Sequence, residues 1–285
     1  MLGNHLLGLY EKALPPELTW EERLRAVTEL GFDYLEISID EKDERLARLD
    51  WTQTERGVLH RAMRETGVPI QSMCLSGHRR FPYGSADPAV SARAPEITEK
   101  AVLFAREFGI RVIQLAGYDV YYEPSTPESL RLFEEGLRSA CEIAEKYQVM
   151  LAMEIMDTPL MSSISRYLKY KAVLPSPWFT VYPDVGNLSA WGNDTAAEIS
   201  LGRNGMVGVH LKDTLAVTED FPGKFKCVPF GSGCVDFPAC LGQLEREGYR
   251  GPYMIEMWYE PGQDWRAEIT NARKFMEEKF AAAMK

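Results

Sequence analysis

Short apolar runs alternate with longer helix-like segments along the whole chain. Each run has the length of a buried strand, and each segment between two runs is long enough for a surface helix. Strands that alternate with helices pair in parallel. The predicted strands are Leu6–Tyr10, Tyr34–Ile39, Ile70–Leu75, Val112–Ala116, Met150–Ile155, Phe179–Asp184, Met206–Lys212 and Tyr253–Met257.

Capping signals support the helices between these strands. Thr19 is followed three residues later by Glu22, which is the capping-box pattern, and Thr126-Pro127 places a cap before a first-turn proline. Glycines such as Gly67 close helices with a left-handed cap just before the next strand. The predicted helices are one that begins after Thr19, followed by Glu55–Thr66, Ile97–Phe108, Pro127–Tyr147, Ser163–Val173, Thr195–Leu201, Phe237–Glu247 and Asp264–Met284.

Eight strand–helix units predict closure into a (β/α)8 TIM barrel rather than an open sheet. The 285-residue length is normal for one such barrel, and no linker, low-complexity tract or repeat interrupts the pattern. We therefore expect residues 1–285 to form a single catalytic barrel domain. The loop-forming stretches Ser76–Asp87 and Val217–Gly233 follow the third and seventh strands, where a barrel places functional loops.

Composition narrows the classes of partner. Apolar residues make up 45% and charged residues 26%, so the chain can bury a large core. The net charge of −10 argues against a nucleic-acid or anionic-membrane surface. No apolar stretch approaches the roughly 20 residues of a membrane span, and the N-terminus does not resemble a signal peptide. Five cysteines without CxxC spacing suit reduced thiols, so a cytoplasmic protein is expected.

Candidate metal ligands lie near the ends of four successive predicted strands: Glu154, Asp184, His210 and Glu256. The carboxyl ends of barrel strands open onto one face, so these side chains are expected to converge. Burying three carboxylates among apolar residues costs several kcal/mol per charge unless a cation compensates them. The set predicts one divalent metal, and Mn²⁺, Zn²⁺, Mg²⁺ and Co²⁺ all suit these ligands.

Several longer segments carry a family resemblance. The chain resembles the xylose-isomerase-like barrel superfamily and, within it, is closely similar to the L-ribulose-5-phosphate (L-xylulose-5-phosphate) 3-epimerases. The segments extend over more than half of the chain and follow the family order. They are Cys74–Ser85, Leu151–Tyr170, Tyr182–Asp194, His210–Thr214, Val228–Phe237 and Tyr253–Trp258.

The resemblance implies that the four candidate ligands bind the metal and that Glu154 and Glu256 also move the protons. It implies interconversion of L-ribulose 5-phosphate and L-xylulose 5-phosphate through a metal-stabilised enediolate, by a homodimer. The chemistry is consistent with those roles. Epimerisation at C3 removes a proton from one face and returns one to the other, so two carboxylates supply a base and an acid. A simple aldose–ketose isomerase needs only one base, which favours an epimerase.

Substrate contacts are predicted in the same segments and the neighbouring loops. His78 could bind a substrate hydroxyl or be a structural loop histidine. Asn187 could donate a hydrogen bond to substrate, and Asp213 could orient a ligand or cap the next helix. Glu36 could be a further polar contact or a salt-bridged rim residue. Tyr10, Trp191 and Trp258 could stack on a sugar or pack in the core.

A phosphate would need positive charge and hydrogen-bond donors. Gly231, Ser232 and Gly233 precede a predicted helix and offer backbone N–H groups. Lys226 and the Arg79-Arg80 pair bring positive charge to an acidic protein. The predicted phosphate contacts are Arg79, Gly231, Ser232 and Gly233, with Lys226 as a further substrate contact.

Other functions remain open on the same barrel. The chain could act on a free ketose as an epimerase or isomerase, or be an inosose-type dehydratase. An AP-endonuclease-type enzyme would use about three metals and more histidines than the four present here, and the charge of −10 also speaks against DNA. A sugar-binding barrel without catalysis would not require the Glu154/Glu256 pair.

Overall fold

In the computed structural model, which describes residues 1–285, eight parallel strands form one nearly closed barrel. The strand order is β6-β5-β4-β3-β2-β1-β8-β7, and β6 meets β7 through the bridges Val181–Met206 and Asp184–His210. The predicted (β/α)8 barrel is therefore confirmed. The strands are β1 Leu7–Tyr10, β2 Tyr34–Ile39, β3 Ile70–Leu75, β4 Val112–Leu115, β5 Met150–Glu154, β6 Phe179–Tyr182, β7 Val209–Leu211 and β8 Tyr253–Ile255.

Each strand is followed by one of the helices expected from the sequence, and three additional short helices, α2, α4 and α8, lie in the loops. The capping boxes at Thr19 and Thr126 are both formed. None of the helices has the length and apolar character needed to cross a membrane. The helices are α1 Trp20–Glu29, α2 Asp43–Leu46, α3 Gln53–Thr66, α4 Pro88–Ser91, α5 Arg93–Phe108, α6 Pro127–Tyr147, α7 Ile164–Val173, α8 Val185–Ala190, α9 Thr195–Gly202, α10 Phe237–Arg246 and α11 Trp265–Ala283.

The strands that carry candidate ligands end earlier than predicted. β6 stops at Tyr182, because Pro183 has no N–H to continue the ladder and Asp184 instead caps α8 by accepting a hydrogen bond from the Asn187 N–H. β8 stops at Ile255, one residue before Glu256. Asp184 and Glu256 therefore lie just beyond strand ends, at the mouth of the barrel.

Two buried layers occupy the two faces of the sheet. Between the strands and the helices, 61 buried residues form one hydrophobic cluster that includes Leu9, Ile37 and Val181. Inside the barrel, the alternate strand positions carry many polar side chains. Because successive strand residues point to opposite faces, Glu36 and Glu154 point inward while their neighbours in sequence pack against helices. The inward polar residues include Glu36, Ser38, Ser72, Gln114, Glu154, Thr180 and His210, all of them buried.

Candidate active site and metal centre

The candidate ligands Glu154, Asp184, His210 and Glu256 come together at the carboxyl end of the barrel. One potential ligand atom from each residue lies within 4.8 Å of all the others. Nδ1 of His210 lies 3.5 Å from Oε1 of Glu154 and 3.6 Å from both Oδ2 of Asp184 and Oε2 of Glu256. All four side chains are buried, and Asp184 and His210 have no exposed surface.

A hydrogen-bonded layer beneath this cluster orients the imidazole of His210. Oε1 of Glu36 lies 3.0 Å from Nε2 of His210, and the Ser72 hydroxyl donates to Oε2 of Glu36 over 2.5 Å. The Gln114 side-chain amide lies 2.8 Å from the same Nε2. Because that nitrogen carries a proton for Glu36, the amide fits with its oxygen towards the ring. Nδ1, which faces the three carboxylates, is then the nitrogen that can bind a metal once its proton is released.

Lys212 adds a buried positive charge to the cluster. Its Nζ lies 2.8 Å from Oε2 of Glu256 and 3.0 Å from Oδ2 of Asp184, and the side chain is buried. Burial alone would lower the pKa of Lys212, but Asp184 and Glu256 raise it well above its ordinary value. With the lysine charged, three carboxylates, one divalent cation and one ammonium sum to zero. The charges of the ligand set and Lys212 would then compensate one another, while the Glu36 carboxyl beneath them is held by Ser72 and His210.

The titration properties of the cluster reflect its crowding. Burial, together with the nearby charge of Glu256, raises the pKa of Glu154 to about 7. Burial acts in the same direction on Asp184, but the positive charge of Lys212 holds the pKa of that carboxyl below its ordinary value. Burial would lower the pKa of His210, whereas the carboxylates of Glu36 and Glu256 raise it well above 6.5.

These residues fit a divalent metal. Nδ1 of His210 is buried, has no hydrogen-bond partner and faces three carboxylates. Oxygen and imidazole donors suit Mn²⁺, Zn²⁺, Mg²⁺ and Co²⁺, so the donor set defines a divalent-cation site without selecting one ion.

Asn187 and His78, which were predicted to contact substrate, both have hydrogen-bond partners within the protein. Asn187 lies in the first turn of α8 and donates from Nδ2 to the Ile155 carbonyl over 2.7 Å, while its Oδ1 is buried without a partner. Nε2 of His78 lies 3.2 Å from the Ala94 carbonyl and 3.1 Å from the hydroxyl of Thr98. Burial lowers the pKa of His78 to about 4, so the ring is neutral at pH 7. His78 thus contacts α5 and is not part of the metal cluster.

Asp213 holds the loop that was expected to bind phosphate. Its Oδ2 accepts the Gly231 and Gly233 N–H groups over 2.8 and 2.9 Å, and the Ser232 N–H donates to the Pro229 carbonyl. The backbone donors were expected to be free, and that expectation was wrong: the loop satisfies all three by itself. Asp213 likewise caps no helix, since Asp236 caps α10. A Cβ at Gly233 would lie 2.1 Å from Oδ1 of Asp213, so this contact requires glycine.

Arg79 and Lys226 supply positive charge near the mouth of the barrel. Lys226 is exposed to solvent, but the protein atoms around its side chain and the neighbouring charge of Arg79 lower its pKa, so the two cations lie near each other. The guanidinium of Arg79 packs 4.5 Å from the ring centre of Tyr121, and its closest carboxylate contact is 3.7 Å, to Glu41. Arg80 instead pairs with Asp43 of α2 on the outer surface.

A cavity of about 380 Å³ opens beside Glu256 and Lys212. Trp258 lines it, and the Tyr10 ring packs edge-on against Trp258 with centres 6.1 Å apart. The cavity is within the size range of small-molecule sites. Trp191 is elsewhere in the loops, where its Nε1 donates to the Met156 carbonyl.

Sequence reasoning missed Lys212 and Gln114 and left Glu36 undecided. Glu36 is fully buried beneath the metal centre, so the rim-residue interpretation was wrong. Lys212 could have been suspected, because it lies two positions after His210, which is the strand period, although β7 itself ends at Leu211. Gln114 is an amide in an apolar strand and gave no comparable signal.

Fold and site together define a class of protein: a parallel barrel with a buried Glu/Asp/His/Glu cluster, able to hold a metal ion, at the carboxyl ends of its strands.

Comparisons with known proteins identify the family within that class. The sequence pattern of the xylose isomerase-like TIM barrel family matches residues 24–279. The L-ribulose-5-phosphate 3-epimerase UlaE of Escherichia coli (strain SE11) is 54% identical over 284 residues, covering 99% of this chain and 98% of that protein. UlaE of Shigella sonnei (strain Ss046) matches equally well. The chain therefore belongs to the xylose isomerase-like TIM barrel family and, within it, to the L-ribulose-5-phosphate 3-epimerase family.

Solved structures of other sugar epimerases share the fold. A D-allulose 3-epimerase from Methylomonas sp. superposes with a TM-score of 0.76 at 17% identity, covering 96% of this chain and 98% of that one. An L-ribulose 3-epimerase gives a TM-score of 0.75 at 18% identity, covering 98% and 95%. At this identity the likeness concerns the barrel and its topology.

Proposed function

We propose that this protein is a metal-dependent 3-epimerase that interconverts L-ribulose 5-phosphate and L-xylulose 5-phosphate. The observation that carries the proposal is the convergence of Glu154, Asp184, His210 and Glu256 within 4.8 Å at the carboxyl end of the barrel. The names of relatives 54% identical over nearly the whole chain support the substrate.

The two glutamates are proposed as the proton-transferring groups. Glu154 is the last residue of β5 and Glu256 directly follows β8, so the two glutamates belong to the first and the last of the adjacent strands β5, β6, β7 and β8. A ketose bound between them would present the two faces of C3 to different carboxylates. One glutamate takes the C3 proton as base, and the other returns a proton to the opposite face as acid. The pKa of about 7 for Glu154 suits a group that exchanges protons near neutral pH.

The remaining buried groups hold these glutamates and the ligands in place. A divalent cation bound by the four residues would supply Lewis-acid stabilisation of negative charge on the C2 oxygen while C3 is deprotonated. Glu36 keeps the His210 ring in the tautomer whose Nδ1 faces the cluster. Lys212 fixes one oxygen of Glu256 through its 2.8 Å contact, which leaves the other oxygen for proton transfer.

Arg79 and Lys226 are the proposed phosphate contacts. Both are cations near the barrel mouth, and neither has a close carboxylate partner. The unpaired Oδ1 of Asn187 is proposed to accept a hydrogen bond from a sugar hydroxyl. His78 and Asp213 are proposed to act by positioning neighbouring segments, because Nε2 of His78 contacts α5 and the Asp213 carboxylate accepts loop N–H groups.

A homodimer in the cytoplasm is the proposed state of the protein. The dimer rests on the family resemblance, and the compartment rests on five cysteines without CxxC spacing. Light scattering at micromolar concentration is expected to give twice the 32.3 kDa chain mass. A mass near 32.3 kDa would contradict the dimer and leave the catalytic proposal intact.

The catalytic proposal is tested by following solvent deuterium into a ketose panel. The panel contains L-ribulose 5-phosphate, L-ribulose and their C3 epimers, incubated in D₂O with metal-loaded and EDTA-treated protein. We expect deuterium at C3 together with L-xylulose 5-phosphate, only with metal. Deuterium at C2 of an aldose product, or at C1 of the recovered ketose, would indicate an aldose–ketose isomerase, and loss of water would indicate a dehydratase. Absence of exchange with every ketose would refute the proposal.

A further inference from the structure

A second cavity opens at the amino-terminal end of the barrel, opposite the metal centre. Its volume is about 720 Å³, compared with about 380 Å³ beside Glu256. Residues at the beginnings of the strands surround it, and Tyr34, Ser72 and Tyr182 form its floor inside the barrel. Barrel enzymes carry out their chemistry at the other end, so the proposed epimerisation makes no use of this cavity. Its volume is that of a small-molecule site.

The rim of this cavity is positively charged. Arg106, Arg111 and Arg250 line it and are exposed to solvent. Neither Arg106 nor Arg111 forms an ion pair, and Arg250 is 3.7 Å from its only carboxylate partner, Glu245. The chain as a whole carries a net charge of −10, so three arginines around one opening, two of them unpaired, create a local site for an anion.

The walls and floor add two further requirements on an occupant. Tyr147 and Trp178 are half-buried walls that present aromatic surface, and the Arg106 guanidinium lies 5.7 Å from the Tyr147 ring centre. The Tyr182 hydroxyl is buried and has no hydrogen-bond partner, whereas the Tyr34 hydroxyl donates to the Tyr253 carbonyl over 3.0 Å. Because no protein group accepts its proton, the Tyr182 hydroxyl can donate to an acceptor in the cavity.

We propose that this cavity binds a small aromatic anion. The anionic group would meet the guanidinium groups of Arg106 and Arg111, which suit phosphate and carboxylate oxygens. A flat ring would pack against Tyr147 and Trp178. An acceptor at the far end of the ring would receive the Tyr182 hydroxyl proton. The arginines, the aromatic walls and the buried hydroxyl lie in one cavity from rim to floor. Surface charges alone would offer an anion neither the aromatic contact nor the buried donor.

The test measures binding of 4-nitrophenyl phosphate by calorimetry to the full-length protein. This probe has a phosphate at one end of a ring and an acceptor at the other. We expect saturable binding with a dissociation constant below about 1 mM. The neutral 4-nitrobenzyl alcohol lacks the anion and inorganic phosphate lacks the ring, so both should bind much more weakly. Binding of the neutral compound as tightly as the anion would overturn the proposal.

Matched variants locate the site. The double variant Arg106→Gln/Arg111→Gln should weaken binding roughly tenfold or more, because two charge-assisted contacts are lost. Arg61→Gln, at an exposed arginine of α3 without an ion pair, removes a positive charge elsewhere and should change binding less than twofold. Lys226→Ala, at the carboxyl end of the barrel, should not change the affinity for the probe. Lost binding in Lys226→Ala with retained binding in the double variant would place the probe in the catalytic site and refute the inference. Absence of saturable binding would refute it too. Neither outcome bears on the epimerase proposal, which the deuterium-exchange experiment tests separately.

Discussion

The two ends of the barrel carry opposite charge in opposite surroundings. At the carboxyl end, Glu154, Asp184 and Glu256 are buried around His210. At the amino end, Arg106 and Arg111 are exposed at a rim. Buried charges must be compensated by specific partners, whereas exposed charges are already solvated. The carboxyl end therefore requires a cation to be stable in its ionised form, whereas the arginines of the amino end are stable in water without a bound anion.

A short chain of contacts connects the two ends. The Ser72 hydroxyl, on the floor of the amino-terminal cavity, donates to Glu36, and Glu36 contacts Nε2 of His210. The Tyr182 ring lies 4.8 Å from the His210 ring. The polar interior of the barrel is thus only about one layer thick between the cavity floor and the metal ligands.

Metal removal should produce the largest difference between the two ends. EDTA treatment is expected to abolish epimerisation, since three buried carboxylates and His210 then lack their compensating cation. Activity assays before and after restoring Mn²⁺, Zn²⁺, Mg²⁺ or Co²⁺ check this. His210→Ala and Asp184→Asn should each weaken metal binding at least about tenfold. Full turnover by protein shown to be metal-free would contradict the proposed centre.

Glu154→Gln and Glu256→Gln should each lower kcat by roughly a hundredfold or more, the usual scale of acid–base catalysis. The amide keeps the shape of the side chain but cannot exchange the proton. Thermal unfolding and circular dichroism serve as controls for the fold. Deuterium exchange at C3, measured separately from epimer formation, sharpens the assignment for each glutamate. Near-native turnover in either variant would show that two-base chemistry is wrong.

Lys226→Ala should lower kcat/KM on L-ribulose 5-phosphate by roughly ten- to a hundredfold, because one charge-assisted contact to the phosphate is lost. Activity on the unphosphorylated ketose should hardly change. Lys224→Ala is the matched control, since Lys224 is an exposed lysine two positions away without an ion pair. Equal losses on both substrates would remove Lys226 from the phosphate site and leave the metal and glutamate assignments standing.

Metal affinity should depend on pH with a smaller amplitude. The pKa of Glu154 is about 7 without metal, so a cation must displace a proton from this carboxyl at lower pH. Lowering the pH from 8 to 6 is expected to weaken binding about tenfold or more, and the raised pKa of His210 adds to the effect. Calorimetry in buffers of matched ionic strength measures it. Glu154→Gln removes the contribution of Glu154 to this pH dependence. If that variant kept the full pH dependence, Glu154 would not be its source.

The raised pKa of Glu154 also makes the stability of the metal-free protein depend on pH. Because folding raises the pKa of Glu154 from 4.5 to about 7, its contribution to stability is fully present below pH 4.5 and is lost as pH rises through 7. Metal binding acts against that loss, since the cation compensates the carboxylate formed at higher pH.

The barrel and its metal ligands could be predicted because they depend on local patterns. Apolar runs such as Met150–Ile155 mark strands whatever the partner strand is, and parallel strands bring their carboxyl ends to one face. A carboxylate such as Glu154 in an apolar run then signals a buried charge in need of a partner. The strand ends were predicted less well, because Asp184 caps a helix that the apolar pattern did not indicate.

The roles of individual polar side chains depended on contacts between distant parts of the chain. Gln114 and His210 are 96 positions apart, and Glu36 and His210 are 174 apart. The amides of Gly231 and Gly233 looked like phosphate donors until Asp213 was seen to accept them. Periodicity reports which face of a strand a side chain occupies, but not which group meets it across the barrel.

The sequence by itself determined the eight strand–helix units and the four candidate ligands at the carboxyl ends of the strands. It could do so because buried strands and helices each require apolar residues at a characteristic local spacing. Only the tertiary structure decided that Lys212 completes the charge balance, that Asp213 holds a loop, and that arginines gather around a cavity at the other end. Those outcomes follow from distances between side chains, and folding alone brings such side chains within hydrogen-bonding and Coulombic range.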